Sequence, residues 1–206
     1  MINFEQTILI LTFCAGGLIT ATIVFWSLRL GITPTPTSAR VRSKLLETLP
    51  EIVDGNIYEL GSGFGSLITV LAKTYPDQII YGIERSPLPC WISRLSCRHL
   101  RNVVIVQQDI FQHEWEGAGL IVCYLYPGAM EKLSKIFNQK LKTGCYIVSH
   151  TFRLPGWEPE SENKANDLYR SPVYRYRVNH PENKQESGRT DSNLTNDRQP
   201  AVQAHN

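Results

Sequence analysis

The chain has 206 residues, 42% of them hydrophobic and 19% charged, with a formal net charge of +2. That length holds one domain with a full core plus appendages, and a charge so near neutral lacks the basic surplus of a nucleic-acid binder. Five cysteines, Cys14, Cys90, Cys97, Cys123 and Cys145, fall on apolar segments without CxxC spacing, and the histidines are scattered. The pattern predicts buried thiols in a reducing compartment, no disulfide frame and no metal.

In chain order, residues 1–6 form a stub, and between Glu5 and Arg29 nothing is charged. The run from Thr7 to Leu28, TILILTFCAGGLITATIVFWSL, makes a helix of roughly 33 Å, enough to span a hydrocarbon core of about 30 Å once. A cleaved signal peptide is the competing reading, but the basic n-region is missing and the run exceeds the roughly 7–15 residues of an h-region. Arg29, Arg40, Arg42 and Lys44 follow the segment while only Glu5 and the amino terminus precede it. The positive-inside rule then puts the main domain on the cytoplasmic side of a bacterial inner membrane, or on the matrix side of a mitochondrial one. Gly16 and Gly17 lack the GxxxG spacing of a strong helix-packing face.

Residues 29–50 read as a linker and a packing helix. Ile32 to Ser38, ITPTPTS, is stiff and extended. Thr37 or Ser38 then caps a short helix with Val41, Leu45 and Leu49 on one face, stopped by Pro50. Residues 51–178 carry the main domain, and it opens on Asn56 to Ser66, NIYELGSGFGS. Ile57, Tyr58 and Leu60 suit a buried strand, Gly61, Gly63 and Gly65 a tight turn with close backbone approach, and Leu67, Val70 and Leu71 a helix.

That pattern marks a nucleotide-type site, and Glu59 decides between ligands. A carboxylate two residues before the first glycine repels a diphosphate but suits the cationic methionyl end of S-adenosylmethionine. Ser66 also stands where a dinucleotide fingerprint has its third glycine. Gln78 to Ile83 reads as a second parallel strand ending at Glu84, whose carboxylate can accept both ribose hydroxyls. Val103 to Gln107 reads as a third, followed by Asp109 and Ile110 at the adenine end. The cofactor set is therefore Glu59, Gly61, Ser62, Gly63, Gly65, Glu84, Asp109 and Ile110.

ELGSGFG, then IIYGIE, then QQDIF resembles the class I S-adenosylmethionine-dependent methyltransferases over roughly Pro34 to Trp157. The resemblance implies a Rossmann-like α/β sheet, mostly parallel with an antiparallel edge strand and preceded by one transmembrane helix. The apolar N-terminal helix, PTPTS, YLYPGAMEKLSKIFNQKLKTG and HTFRLPGWEP are similar to membrane-anchored protein-lysine methyltransferases that modify the adenine nucleotide translocase and the ATP synthase c subunit, and to their bacterial relatives. Two residues depart from that family: Phe64 replaces the aspartate of its GSGDG turn, and Glu59 replaces the commoner aspartate. In the family the linker lies against the cofactor site, which implies Thr35 and Thr37 at its mouth.

Beyond Glu84, Pro87 opens a helix whose Leu88, Trp91, Ile92 and Leu95 are expected to face the sheet. Arg85, Arg94, Arg98, His99 and Arg101 make a basic cluster there, read as a solvated face with anionic lipid or an acidic partner as the alternative. GLIVCY, Gly119 to Tyr124, is the fourth strand, Ala129 to Leu141 a helix, and Cys145 to Leu154 a fifth strand. Trp157 either closes over the substrate side or packs on the sheet edge. VYRYRV, Val173 to Val178, is a final antiparallel strand, and residues 179–206 are expected to be disordered.

Tyr124 and Tyr126 stand at the carboxyl edge where many methyltransferases carry an amide followed by prolines. YLYP lacks that amide, which argues against methylation of nucleic-acid bases. The two tyrosines can wall a channel for a lysine side chain, or serve only as strand-edge aromatics. A lysine must shed its proton before attack, and Tyr124, Tyr126 and His150 are base candidates by position. The expected activity is a membrane-anchored methyltransferase, with a protein lysine in or at the membrane as acceptor implied by the family. A lipid or quinone methyltransferase and a non-catalytic membrane-tethered cofactor-binding module are the alternatives.

Overall fold

The computed structural model describes residues 3–30 and 38–180. Of the expected Ile32–Ser38 linker all but Ser38, Thr35 and Thr37 included, lies outside them, as does the expected 179–206 tail beyond His180.

Helix α1 (Phe4–Leu30) is 27 residues long, about 40 Å at 1.5 Å per residue. It starts ahead of Thr7 because Asn3 and Gln6 form a reciprocal cap: the Gln6 N–H donates to Asn3 Oδ1 at 2.8 Å, and the Asn3 N–H to Gln6 Oε1 at 3.2 Å. Within it Thr12, Thr20 and Thr22 donate their hydroxyls to the carbonyls of Ile8, Gly16 and Leu18, which hides polar groups along an apolar rod. The stretch Phe4–Thr22 has a mean hydropathy of 1.5 and none of it is buried, so by length and composition it can cross a membrane. Cys14, expected to be buried, is exposed on this helix, while the other four thiols are buried in the domain.

Helix α2 (Ala39–Thr48) is capped by Ser38, whose Oγ accepts from the Val41 N–H, and buries Val41 and Leu45, with Leu49 just beyond it. The strands are β1 (Asn56–Leu60), β2 (Ile80–Glu84), β3 (Val103–Gln107), β4 (Ala118–Cys123), β5 (Tyr146–His150), β6 (Ser161–Lys164) and β7 (Pro172–Arg177). They form one sheet in the order β3-β2-β1-β4-β5-β7-β6, parallel through β5. Helices α3 (Ser66–Thr74), α4 (Pro87–Cys97) and α5 (Pro127–Lys140) complete the fold. The strands alternate their apolar residues between two cores: Tyr58, Leu60, Ile121, Cys123 and Ile147 pack with α5, while Ile57, Leu120, Val122 and Val148 pack with α2 and α3.

Three expectations need correction. The outward face of α4 carries Trp91, 62% exposed, and Leu95, 49% exposed, with Leu88 and Ile92 only half-buried; Pro89, Cys90, Ser93 and Cys97 face inward instead. The reason is space, since a Cβ on Gly65 would lie 2.4 Å from Ser93 Oγ and 3.2 Å from Cys97 Sγ, so the helix sits too close to the glycine turn for large side chains. Strand β5 stops at His150, because Thr151 turns to φ 71°. Strand β7 pairs antiparallel with β5 but is not outermost, as β6 adds beyond it. The polar SENK of β6 shows no alternation of apolar residues; it is held by the β7 ladder and by Asn163 Nδ2 donating to Thr48 Oγ1 at 3.2 Å.

Candidate functional site

In this sheet the strand order reverses between β1 and β4, so a crevice opens at their carboxyl ends. Register lines up the rim: Leu60 pairs Ile83 and Cys123, Cys123 pairs Ser149, and Glu84 pairs Gln107. The next residue along each strand therefore brings Gly61, Glu84, Tyr124 and His150 into one row, with strands about 4.8 Å apart.

The turn after β1 is built from left-handed glycines, Gly61 at φ 76°, Gly63 at 54° and Gly65 at 81°. A Cβ on Gly63 would meet nothing within 4 Å, so its backbone lies open to a ligand, whereas one on Gly61 would touch Leu125 Cδ2 at 3.0 Å across the crevice. Glu84 is buried and its carboxylate is held by two backbone donors, the Gly63 N–H at 2.9 Å and the Ser86 N–H at 2.7 Å. Each oxygen keeps a lone pair for a further donor. Glu59 is buried beside it, with Oε2 lacking any hydrogen-bond partner among the described residues. Burial first, and the Glu84 charge second, push the Glu59 carboxyl well above its ordinary range. Ser62 adds a second buried oxygen without a partner among the described residues.

A buried carboxyl with one oxygen lacking a partner among the described residues, a second carboxylate aimed by N–H groups, and open glycine backbone fit a cationic, ribose-bearing ligand and disfavour a diphosphate. Beyond β3, Asp109 accepts from the Phe111 N–H at 3.0 Å and pairs with Arg85 Nη1 at 3.3 Å, with Ile110 half-buried alongside. Arg85 was expected only as part of a basic cluster; nothing in its spacing from Asp109 announces the pair. Gly82 was also missed. A Cβ there would lie 2.0 Å from Ile68 Cδ1 and 3.0 Å from Ser62 Oγ, so this glycine lets α3 and the turn close onto β2.

On the other side of the crevice the Tyr124 ring stacks on His150 at 4.0 Å between centroids and 15° between planes, and lies parallel to Phe152 at 6.4 Å. His150 is buried, and that burial lowers its pKa to about 4, so the ring is neutral at physiological pH. Tyr126 is exposed at the start of α5. Trp157 packs edge-on against Tyr176 at 6.3 Å, the sheet-packing alternative of its two readings. The strained Thr151, whose N–H donates to the Pro172 carbonyl at 2.7 Å, swings the chain so that Phe152 meets Tyr124.

Known proteins are similar to this chain in sequence and fold. A protein-lysine N-methyltransferase of Saccharolobus islandicus is 28% identical over 137 residues, 64% of this chain and 84% of the relative. The crystal structure of an RNA methyltransferase from Salinibacter ruber in complex with S-adenosyl-L-homocysteine superposes with a TM-score of 0.63 at 30% identity, covering 72% of this chain and 97% of that one. A precorrin-6y C5,15-methyltransferase from Geobacter metallireducens shares the fold, with a TM-score of 0.53 at 20% identity over 68% of this chain and 87% of its own. The ANTKMT methyltransferase domain matches residues 59–161, half of the chain, and the protein belongs to that family.

Proposed function

We propose that this methyltransferase modifies lysine side chains of a protein in or at a membrane, to which α1 anchors it. The cofactor is S-adenosylmethionine, which supplies a methyl group activated by a sulfonium for in-line displacement. The observation that carries the acceptor reading is the aromatic wall of Tyr124, His150 and Phe152, one strand across the switch point from the open glycine turn. The lysine-methylating relative from Saccharolobus islandicus supports the same class.

Roles follow from position. Glu84, fixed by the Gly63 and Ser86 N–H groups, accepts the ribose hydroxyls, and the unpaired Oε2 of Glu59 receives the ammonium of the methionyl end. Asp109 and Ile110 hold the adenine, with Arg85 steadying the Asp109 carboxylate. Gly61, Ser62 and Gly65 keep the turn tight around them. A lysine approaching the wall lays its stem and cation along the Tyr124 face, and the water lost there lowers the cost of giving up its proton. His150 suits a positioning role: with its pKa near 4, taking a proton from an ammonium of pKa about 10.4 is uphill by several units, so it serves as the shelf on which Tyr124 rests. Tyr126, exposed at the rim, meets the incoming side chain first.

The test is transfer of labelled methyl from S-adenosylmethionine by the full chain into isolated membranes, with the labelled residue identified by mass spectrometry. Methyl-lysine in a membrane protein is expected, with Tyr124→Ala lowering transfer at least tenfold while cofactor affinity stays within about twofold. The Salinibacter ruber neighbour makes RNA the competing acceptor; label appearing in added RNA, or in lipid, and not in protein would overturn the lysine assignment.

A further inference from the structure

The turn between β6 and β7 points two large apolar side chains away from the protein: Leu168 is 87% exposed and Tyr169 83%. The turn is built, not loose. Asp167 accepts from the Ser171 N–H at 2.7 Å and the Ser171 hydroxyl at 2.6 Å, the Arg170 N–H donates to the Asp167 carbonyl at 3.1 Å, and the Ala165 N–H to the Ser171 carbonyl at 2.9 Å. Arg170 takes a left-handed φ of 50° to close it. Exposing two adjacent apolar residues on a rigid turn gives the folded domain nothing, so the gain lies in whatever the turn meets.

Its place in the sheet says what that is. Strand β7 runs antiparallel to β5 with Val173 opposite His150, and the Thr151 N–H donates to the Pro172 carbonyl. The turn therefore stands at the carboxyl rim, the same rim that carries the glycine turn, Glu84, Tyr124 and His150. Helix α2 packs along β6 and β7, and the charge of Arg40 in its first turn bears on Asp167. The polypeptide leaving α1 thus joins the domain beside this turn. From Leu30 to Ser38 there are eight residue steps, at most about 29 Å when fully extended. Basic Arg170 follows the apolar pair, and the charge of Arg40 bears on Asp167 just before it.

We propose that Leu168 and Tyr169 insert into the headgroup region of the bilayer and turn the catalytic rim toward the membrane surface. The inference rests on the reading of α1 as a membrane anchor. A tyrosine ring with its hydroxyl outward and a neighbouring leucine suit that interface, and the two arginines suit anionic headgroups. The crevice then opens on lysines that lie at the membrane surface, within reach of Tyr126 and Tyr124.

The experiment uses the full chain reconstituted into vesicles of phosphatidylcholine and phosphatidylglycerol, with and without brominated acyl chains. A tryptophan is introduced at the turn, Tyr169→Trp, or at exposed Ile52 ahead of β1, on the opposite rim, as Ile52→Trp. The wild-type signal is subtracted from each. The added emission of Tyr169→Trp is expected to shift to shorter wavelength and be quenched by bromine, while that of Ile52→Trp is not. Leu168→Ser with Tyr169→Ser is expected to lower labelling of membrane acceptors about tenfold at unchanged cofactor affinity. Protein that floats with the vesicles but leaves Tyr169→Trp unquenched, or quenches Ile52→Trp in its place, overturns the orientation alone. Protein that does not float with the vesicles removes the anchor and the orientation together.

Discussion

Glu59 carries an electrostatic cost that S-adenosylmethionine is suited to relieve. Its carboxyl, raised by burial and by the Glu84 charge, holds a proton that the unfolded chain would release. The native state therefore gains stability from this group at pH values below its ordinary pKa of about 4.3, and loses that gain as pH rises through the raised value. Without cofactor, Glu59→Gln is expected to melt higher than wild type at pH 8, with the difference vanishing near pH 4. The order for binding is opposite: titration calorimetry should show wild-type affinity for S-adenosylmethionine increasing with pH until the carboxyl ionises, and the Gln variant weaker by about tenfold or more and flat with pH. Equal melting temperatures at both pH values would mean that Glu59 is not the strained group. Much of this site was legible from residues alone, because Glu59, Glu84 and Asp109 each follow a short apolar run and the three glycines need left-handed backbone. What could not be read were contacts set by the third dimension: the Arg85 partner of Asp109, the closeness of Gly82 to Ile68, and the stacking of His150 beneath Tyr124.

At the scale of elements, α4 shows how helical spacing can be right while the face is wrong. Leu88, Trp91, Ile92 and Leu95 recur as an inward stripe would, yet α4 turns Pro89, Cys90, Ser93 and Cys97 inward, with the small Ser93 and Cys97 against Gly65. Trp91→Gln is accordingly expected to change unfolding free energy by no more than about 0.5 kcal/mol, where an inward tryptophan would cost about 3–5 kcal/mol on truncation. Urea denaturation followed by circular dichroism separates the two. Ser93→Leu should be the damaging change, since its side chain would press on the turn that carries Gly65. The strands that alternate or run continuously apolar were read within a few residues, while β6, made of Ser161, Glu162, Asn163 and Lys164, is held by the ladder of β7 and by the Asn163 bond to Thr48, not by any apolar pattern of its own.

Taken whole, the molecule joins an apolar rod to a catalytic sheet by a connection of eight residue steps, at most about 29 Å long. With the rod in a bilayer, the sheet never leaves the surface it is tied to, so its encounters are counted per area of membrane and not per volume of solution. Two consequences follow for vesicles carrying the enzyme mixed with vesicles carrying an acceptor: no methyl-lysine should form between separate populations, and fusing them should start the reaction. Diluting the fused vesicles in buffer should leave the rate per vesicle unchanged, while diluting the acceptor with added lipid should lower it in proportion. Under the proposed anchoring and acceptor, the short connection makes lipid area, and not bulk concentration, the quantity that meters how often a lysine is offered a methyl group.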